Sequence, residues 1–225
     1  MSLRIKETSR RTGSVLVTIS TFSGALVQWY MVWIFARHFG GPAAAGTYSS
    51  LVSLLTPIFI VASLGLRTVY LTLREVWPLR TYLFLRVVGL AAGGVVFLAV
   101  ALLEAKFAPG LIIALMASRI FDLLSDVYAG AIQRQERLAW LGTIGIGASV
   151  TAAAAVTVAA YVADSMTAAL TAVALVAVLF YVVYWRTAGS VDTDVPDQHL
   201  PEQMGVRFPG VRSIISAGVP VTISQ

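Results

Sequence analysis

The segment Pro109-Gly-Leu-Ile-Ile-Ala-Leu-Met-Ala-Ser-Arg119-Ile-Phe-Asp122-Leu-Leu-Ser-Asp126-Val-Tyr-Ala-Gly-Ala-Ile132 decides how this chain is read. It is long enough to cross a bilayer, which takes roughly 20 mostly apolar residues. It also carries three charges, each unfavourable by about 2.5–3.5 kcal/mol at the centre of a membrane helix. Around it lie the uncharged runs 12–36, 38–66, 87–103, 107–118, 138–163 and 165–185. If 109–132 spans, the chain has six spans; if it does not, the polarity of everything after it inverts.

The basic residues arbitrate. Arg4, Lys6, Arg10 and Arg11 precede the first span. Arg67, Arg74, Arg80 and Arg86 surround the link between the second and third, Arg134 and Arg137 follow the fourth, and Arg186, Arg207 and Arg212 follow the sixth. With six spans all four groups fall on one side, and only Arg37 and Lys106 on the other. Without the fourth span, Lys106, Arg119, Arg134 and Arg137 all lie outside. Loops rich in Lys and Arg stay on the cytoplasmic side, so the pattern predicts six spans with a cytoplasmic N-terminus, at about 13–35, 43–66, 81–103, 109–132, 138–162 and 166–185.

Composition supports an all-α, polytopic transmembrane helix bundle. The chain is 58% hydrophobic and 12% charged, with a mean hydropathy of +0.82, whereas soluble domains carry about 25% charged residues. The net charge of +5 is spread as a topology signal, so no nucleic-acid partner is expected. The organisation predicted is a cytoplasmic N-terminus (1–12), a six-helix lobe (13–186), an acidic, proline-containing cytoplasmic linker (187–209), and the start of a seventh helix (210–225). The first apolar run is too long for a signal-peptide core and reads as a retained helix.

Chemistry concentrates on the fourth span. Arg119, Asp122 and Asp126 are spaced i, i+3 and i+7 and share one face, which must look into the bundle rather than at lipid. Two readings stay open. In one, Arg119 and Asp122 neutralise each other and Asp126 reaches for the interface. In the other, a polar cavity lets Arg119 meet an anionic group, since its planar fork suits phosphate, while Asp122 and Asp126 bind or exchange a cation. Gln28 in the first span, Arg37 at its outer end and Arg67 at the inner end of the second are further cavity candidates. The alternatives are helix–helix hydrogen bonding for Gln28, interface anchoring for Arg37 and snorkelling for Arg67. The spacing of Gly89 and Gly93, and the small residues Gly142, Gly145, Gly147 and 152–155, read as close-packing faces. Pro57 predicts a kink in the second span. There is no P-loop, nucleotide fingerprint or HExxH motif, and cysteine is absent. No enzyme activity, cofactor or metal site is expected.

Several stretches resemble one family. Arg37-His-Phe-Gly-Gly-Pro-Ala-Ala-Ala-Gly-Thr-Tyr48-Ser-Ser-Leu51 resembles the motif between the first two helices of polysaccharide flippases of the multidrug/oligosaccharidyl-lipid/polysaccharide exporter superfamily. Ser63-Leu-Gly-Leu-Arg67 looks like the end of their second helix. Asp126 with Gln133-Arg134-Gln135-Glu136-Arg137 is similar to the stretch closing their fourth, and Ile215-Ser-Ala-Gly-Val-Pro220 to the opening of their seventh. The resemblance implies a transporter of lipid-linked polysaccharide precursors such as O-antigen units, in a bacterial-type inner membrane. It implies two six-helix lobes around a cavity whose arginines hold a polyprenyl-pyrophosphate-linked oligosaccharide, with alternating access driven by an ion gradient. This chain departs from that pattern in having one lobe. The expectation is a fragment, the N-terminal lobe of a longer protein; a homodimer or a separate second lobe are the other possibilities. A cation-coupled small-molecule exporter of the same superfamily, or a non-transporting membrane assembly subunit, are the alternative functions. A membrane enzyme acting on polyprenyl phosphates is the least supported.

Overall fold

The computed structural model describes residues 2–72, 79–104 and 106–192, with side chains over 11–189 of these. The described residues form helices and short connections, without strands: α1 (Ser2–His38), α2 (Pro42–Ser63), α3 (Leu66–Thr72), α4 (Leu79–Leu103), α5 (Pro109–Arg134), α6 (Leu138–Ala163) and α7 (Met166–Asp192). The all-α bundle is as expected, with six long helices and one short one. Five stretches are long and apolar enough to cross a membrane: Arg11–His38, Pro42–Thr72, Leu79–Leu103, Leu138–Ala163 and Met166–Gly189. The chain is a multi-pass membrane protein.

The sixth long helix is α5, whose 26 residues extend for about 39 Å. Its charges keep it off that apolar set, and its position explains why they are tolerated. It runs beside α7 and also touches α2, α3, α4 and α6. Ile113 is its only large apolar side chain that is strongly exposed, whereas α1 turns out Val15, Ile19, Phe22, Leu26, Trp29 and Trp33. A lipid-facing helix must be apolar outside; a helix enclosed by five others can carry charge.

Glycine sets the closest approaches. A Cβ on Gly89 would run into the Ala62 carbonyl, and one on Gly93 into the Ala62 side chain, so α4 lies against α2. A Cβ on Gly142 would meet Leu16, and one on Gly145 the Ser20 hydroxyl. Further along the same pair, the Tyr30 and Thr157 hydroxyls are 2.7 Å apart, so α1 and α6 run parallel. Both small-residue patterns are therefore packing faces, as their spacing predicts. One core cluster, including Phe35, Tyr48, Leu51, Phe97 and Ile112, fills the end of the bundle where α1 finishes. At the opposite end Leu66, Val69, Tyr82, Leu85 and Val127 form a smaller one.

Some boundaries differ from expectation. Gly40 and Gly41 have φ of 107° and 76°, conformations costly for other residues, and Pro42 takes the first helical position of α2, so the predicted turn is there. However, α2 remains one helix through Pro57 and breaks at Leu64 and Gly65, whose φ of 52° and 55° are left-handed. At the N-terminus α1 already starts at Ser2, and at the far end α7 continues to Asp192. The opening residues of the predicted linker are thus helical. The rest of that linker and the predicted seventh helix lie outside the described residues, as do Arg74, Arg207 and Arg212.

Candidate functional site

The break after α2 creates the first element of the site. A helix end leaves carbonyl groups without intrahelical donors and carries partial negative charge. Arg86, seven residues into α4, answers one of them: its Nη1 donates to the Ser63 carbonyl at 2.7 Å. Its Nη2 donates to Asp126 Oδ2 at 2.8 Å. Arg86 is 1% exposed. A charge this deeply buried is tolerated only with a partner of opposite sign, and Asp126 is that partner.

Asp126 serves two arginines. Its Oδ1 accepts from Arg67 Nη1 at 2.7 Å, while Arg67 Nη2 donates to Gln133 Oε1 at 2.8 Å. Arg67 thus joins α3 to α5, and Arg86 joins α4 to both α5 and the end of α2. Asp126 does not extend towards water as one reading allowed; it is the hub of an ion triad linking three helices.

One turn towards the middle of α5 the situation reverses. Arg119 and Asp122 form no ion pair with each other, and among the described residues neither has a hydrogen bond or ion-pair partner. The two are therefore not in direct contact, although Arg119 still attracts Asp122 through space. Both face open space. A cleft of about 510 Å³ is walled by α1, α2, α3, α4 and α5, with Gln28, Arg67, Arg86, Arg119, Asp122 and Asp126 along it. A second space of about 310 Å³ shares Gln28, Arg119 and Asp122 with it and is lined further by Tyr48, Ser118 and Ser149. A third, of about 260 Å³, shares Arg67, Asp122 and Asp126 and adds Ser20, Thr21 and Tyr184. Asp122 borders all three.

Of the sequence candidates, Gln28, Arg67, Arg119, Asp122 and Asp126 are brought together here. Arg37 is not: it is exposed at the end of α1 and lines none of the three spaces. Sequence reading missed Arg86, grouping it with the loop charges. A signal was present, because Arg86 falls inside the predicted span 81–103, and an ionisable residue within a span calls for a partner. Gln133, the second acceptor for Arg67, was quoted only within a motif. Three arginines against two aspartates leave the first cleft with an excess of one positive charge.

No protein-family model, no curated protein and no solved structure matches this chain.

Proposed function

We propose that this protein transports lipid-linked polysaccharide precursors across a bacterial-type inner membrane by alternating access, its six long helices acting as the N-terminal lobe that works against a second one. The observation that carries this reading is Arg119. A guanidinium without a protein partner, on the cleft wall of the most enclosed helix, is available to a ligand anion. A polyprenyl-pyrophosphate headgroup offers several oxygens for its fork of donors. The apolar outer surface of the bundle leaves the lipid chain in the bilayer while the headgroup enters the cleft. Rocking of one lobe against another about a midplane site is a common transport mechanism. The excess of basic residues at the end where α1 starts supports a cytoplasmic N-terminus.

The test is glycan-lipid flipping in cells or proteoliposomes. Arg119→Ala is expected to abolish flipping of a polyprenyl-pyrophosphate-linked oligosaccharide while insertion and thermal stability remain normal. Unchanged flipping would remove Arg119 from the mechanism.

Asp122 favours a second reading. Its carboxylate borders all three spaces and has no cation beside it at ion-pair distance, the situation suited to exchanging a proton or metal cation. For a cation-coupled small-molecule exporter, Asp122→Asn would abolish gradient-driven efflux, whereas glycan-lipid flipping would never be observed.

A further inference from the structure

The short helix α3 forms part of the cleft wall through Gly65, Arg67 and Thr68, and its attachment has an unusual design. It hangs from two successive left-handed residues, Leu64 and Gly65, a conformation that disfavours leucine. At seven residues it is too short to persist without tertiary contacts. Its apolar hold is small: Leu66 and Val69 in a cluster with Tyr82, Leu85 and Val127, and the Tyr70 ring edge-on to Tyr82 of α4 at 5.0 Å. Three polar links run to α5: Arg67 to Asp126 and to Gln133, and the Tyr70 carbonyl, which accepts from Arg134 Nη1 at 2.9 Å. The Arg134 guanidinium also lies 5.3 Å from the centre of the Tyr70 ring.

From this geometry, and resting on the anion-transport reading above, we propose that the Arg67–Asp126 pair is a latch: an anion entering the cleft takes Arg67 from Asp126 and frees α3 to swing about Leu64–Gly65. Three observations make the exchange feasible. Arg67 is 34% exposed, so it is reachable, whereas Arg86 is 1% exposed and stays in place. Asp126 keeps Arg86 on its other oxygen, so releasing Arg67 does not strand a carboxylate without a partner. Arg119 lines the same cleft without a protein partner, which gives a polyanion a second attachment point. One ion pair is traded for another of the same chemistry, and the difference in affinity between the two positions of α3 sets how far the equilibrium moves.

The absence of cysteine allows clean spin labelling at two introduced cysteines, Thr72→Cys on α3 and Trp140→Cys on α6, both exposed positions. Distances are measured by pulsed electron resonance on the full chain in lipid nanodiscs, with and without inorganic pyrophosphate, whose binding is followed by calorimetry. Pyrophosphate should shift the main distance by about 5 Å, the pitch of one helical turn. Asp126→Asn and Arg67→Gln should show the shifted distance without pyrophosphate and no further response to it. Arg67→Gln leaves the Arg86–Asp126 pair in place, so it reports on the latch even where Asp126→Asn fails to fold. A folded Arg67→Gln protein with the unshifted distance would overturn the latch. Pyrophosphate binding to the unsubstituted chain without a shift would overturn it too, and leave the transport reading intact. A shifted Arg67→Gln protein whose parent binds no pyrophosphate would overturn the anion trigger together with that reading.

Discussion

Two charged groups on one helix face behave in opposite ways. Asp126 is held on both oxygens by arginines from two other helices. Arg119 and Asp122, a turn or two away on α5, are held by none and border open space. Along the sequence the three residues form one evenly spaced set. The difference comes from what stands opposite. Beside Asp126 the α2 helix ends and α4 comes close through Gly89 and Gly93, bringing Arg86 within reach of Ser63. Beside Arg119 and Asp122 the facing helices offer neutral side chains, Gln28, Tyr48 and Ser149 among apolar ones, across a gap. The first arrangement is suited to joining helices, the second to meeting a ligand.

Substitutions should separate the two. The largest effect is expected for Arg86→Ala, which removes a buried charge that Asp126 and the Ser63 carbonyl both need. Breaking a buried pair from one side costs about 3–5 kcal/mol, to be seen as a large fall in the unfolding temperature in detergent. If that temperature hardly changed, the triad would not be holding the helices together. Next comes Gly89→Leu, which forces α4 away from α2 and disturbs the same triad indirectly. Overpacking of this kind costs about 1–3 kcal/mol, and Gly24→Ala, with nothing near the added carbon, is the neutral control. A Gly89 variant as stable as that control would show that the approach is not tight.

A double-mutant cycle on Arg67→Gln and Asp126→Asn should then give a coupling energy of about 1 kcal/mol or more, within the range for residues in direct contact. Additive effects would mean that the 2.7 Å pair contributes nothing. The smallest change in stability is expected for Arg119→Ala and Asp122→Asn, each within about 0.5 kcal/mol, as for residues without structural partners. A destabilisation as large as that of Arg86→Ala would erase the contrast between the two groups and place Arg119 in the framework.

Much of the architecture was legible in the sequence. The lengths of the apolar runs locate the helices, and the Gly40-Gly41-Pro42 turn marks one joint. The small residues of the third and fifth spans mark close approaches, because only they let two backbones come together. Even α5, too charged for a lipid-facing helix, forms a long helix where one was expected over 109–132. The end of α2 was not legible: the chain breaks at a leucine followed by glycine, where Arg86 supplies a donor for a freed carbonyl.

The sequence by itself determined the long helices and the one charged face on α5, because transfer into a membrane depends on local composition and length. Only the tertiary structure decided which charges are spent within the protein and which remain available. Whether Asp126 meets Arg86 or Asp122 meets Arg119 depends on distances of a few ångströms between segments far apart in the chain. Those distances follow from how closely glycine lets α4 approach α2 and from where α2 stops, and no spacing within α5 contains them.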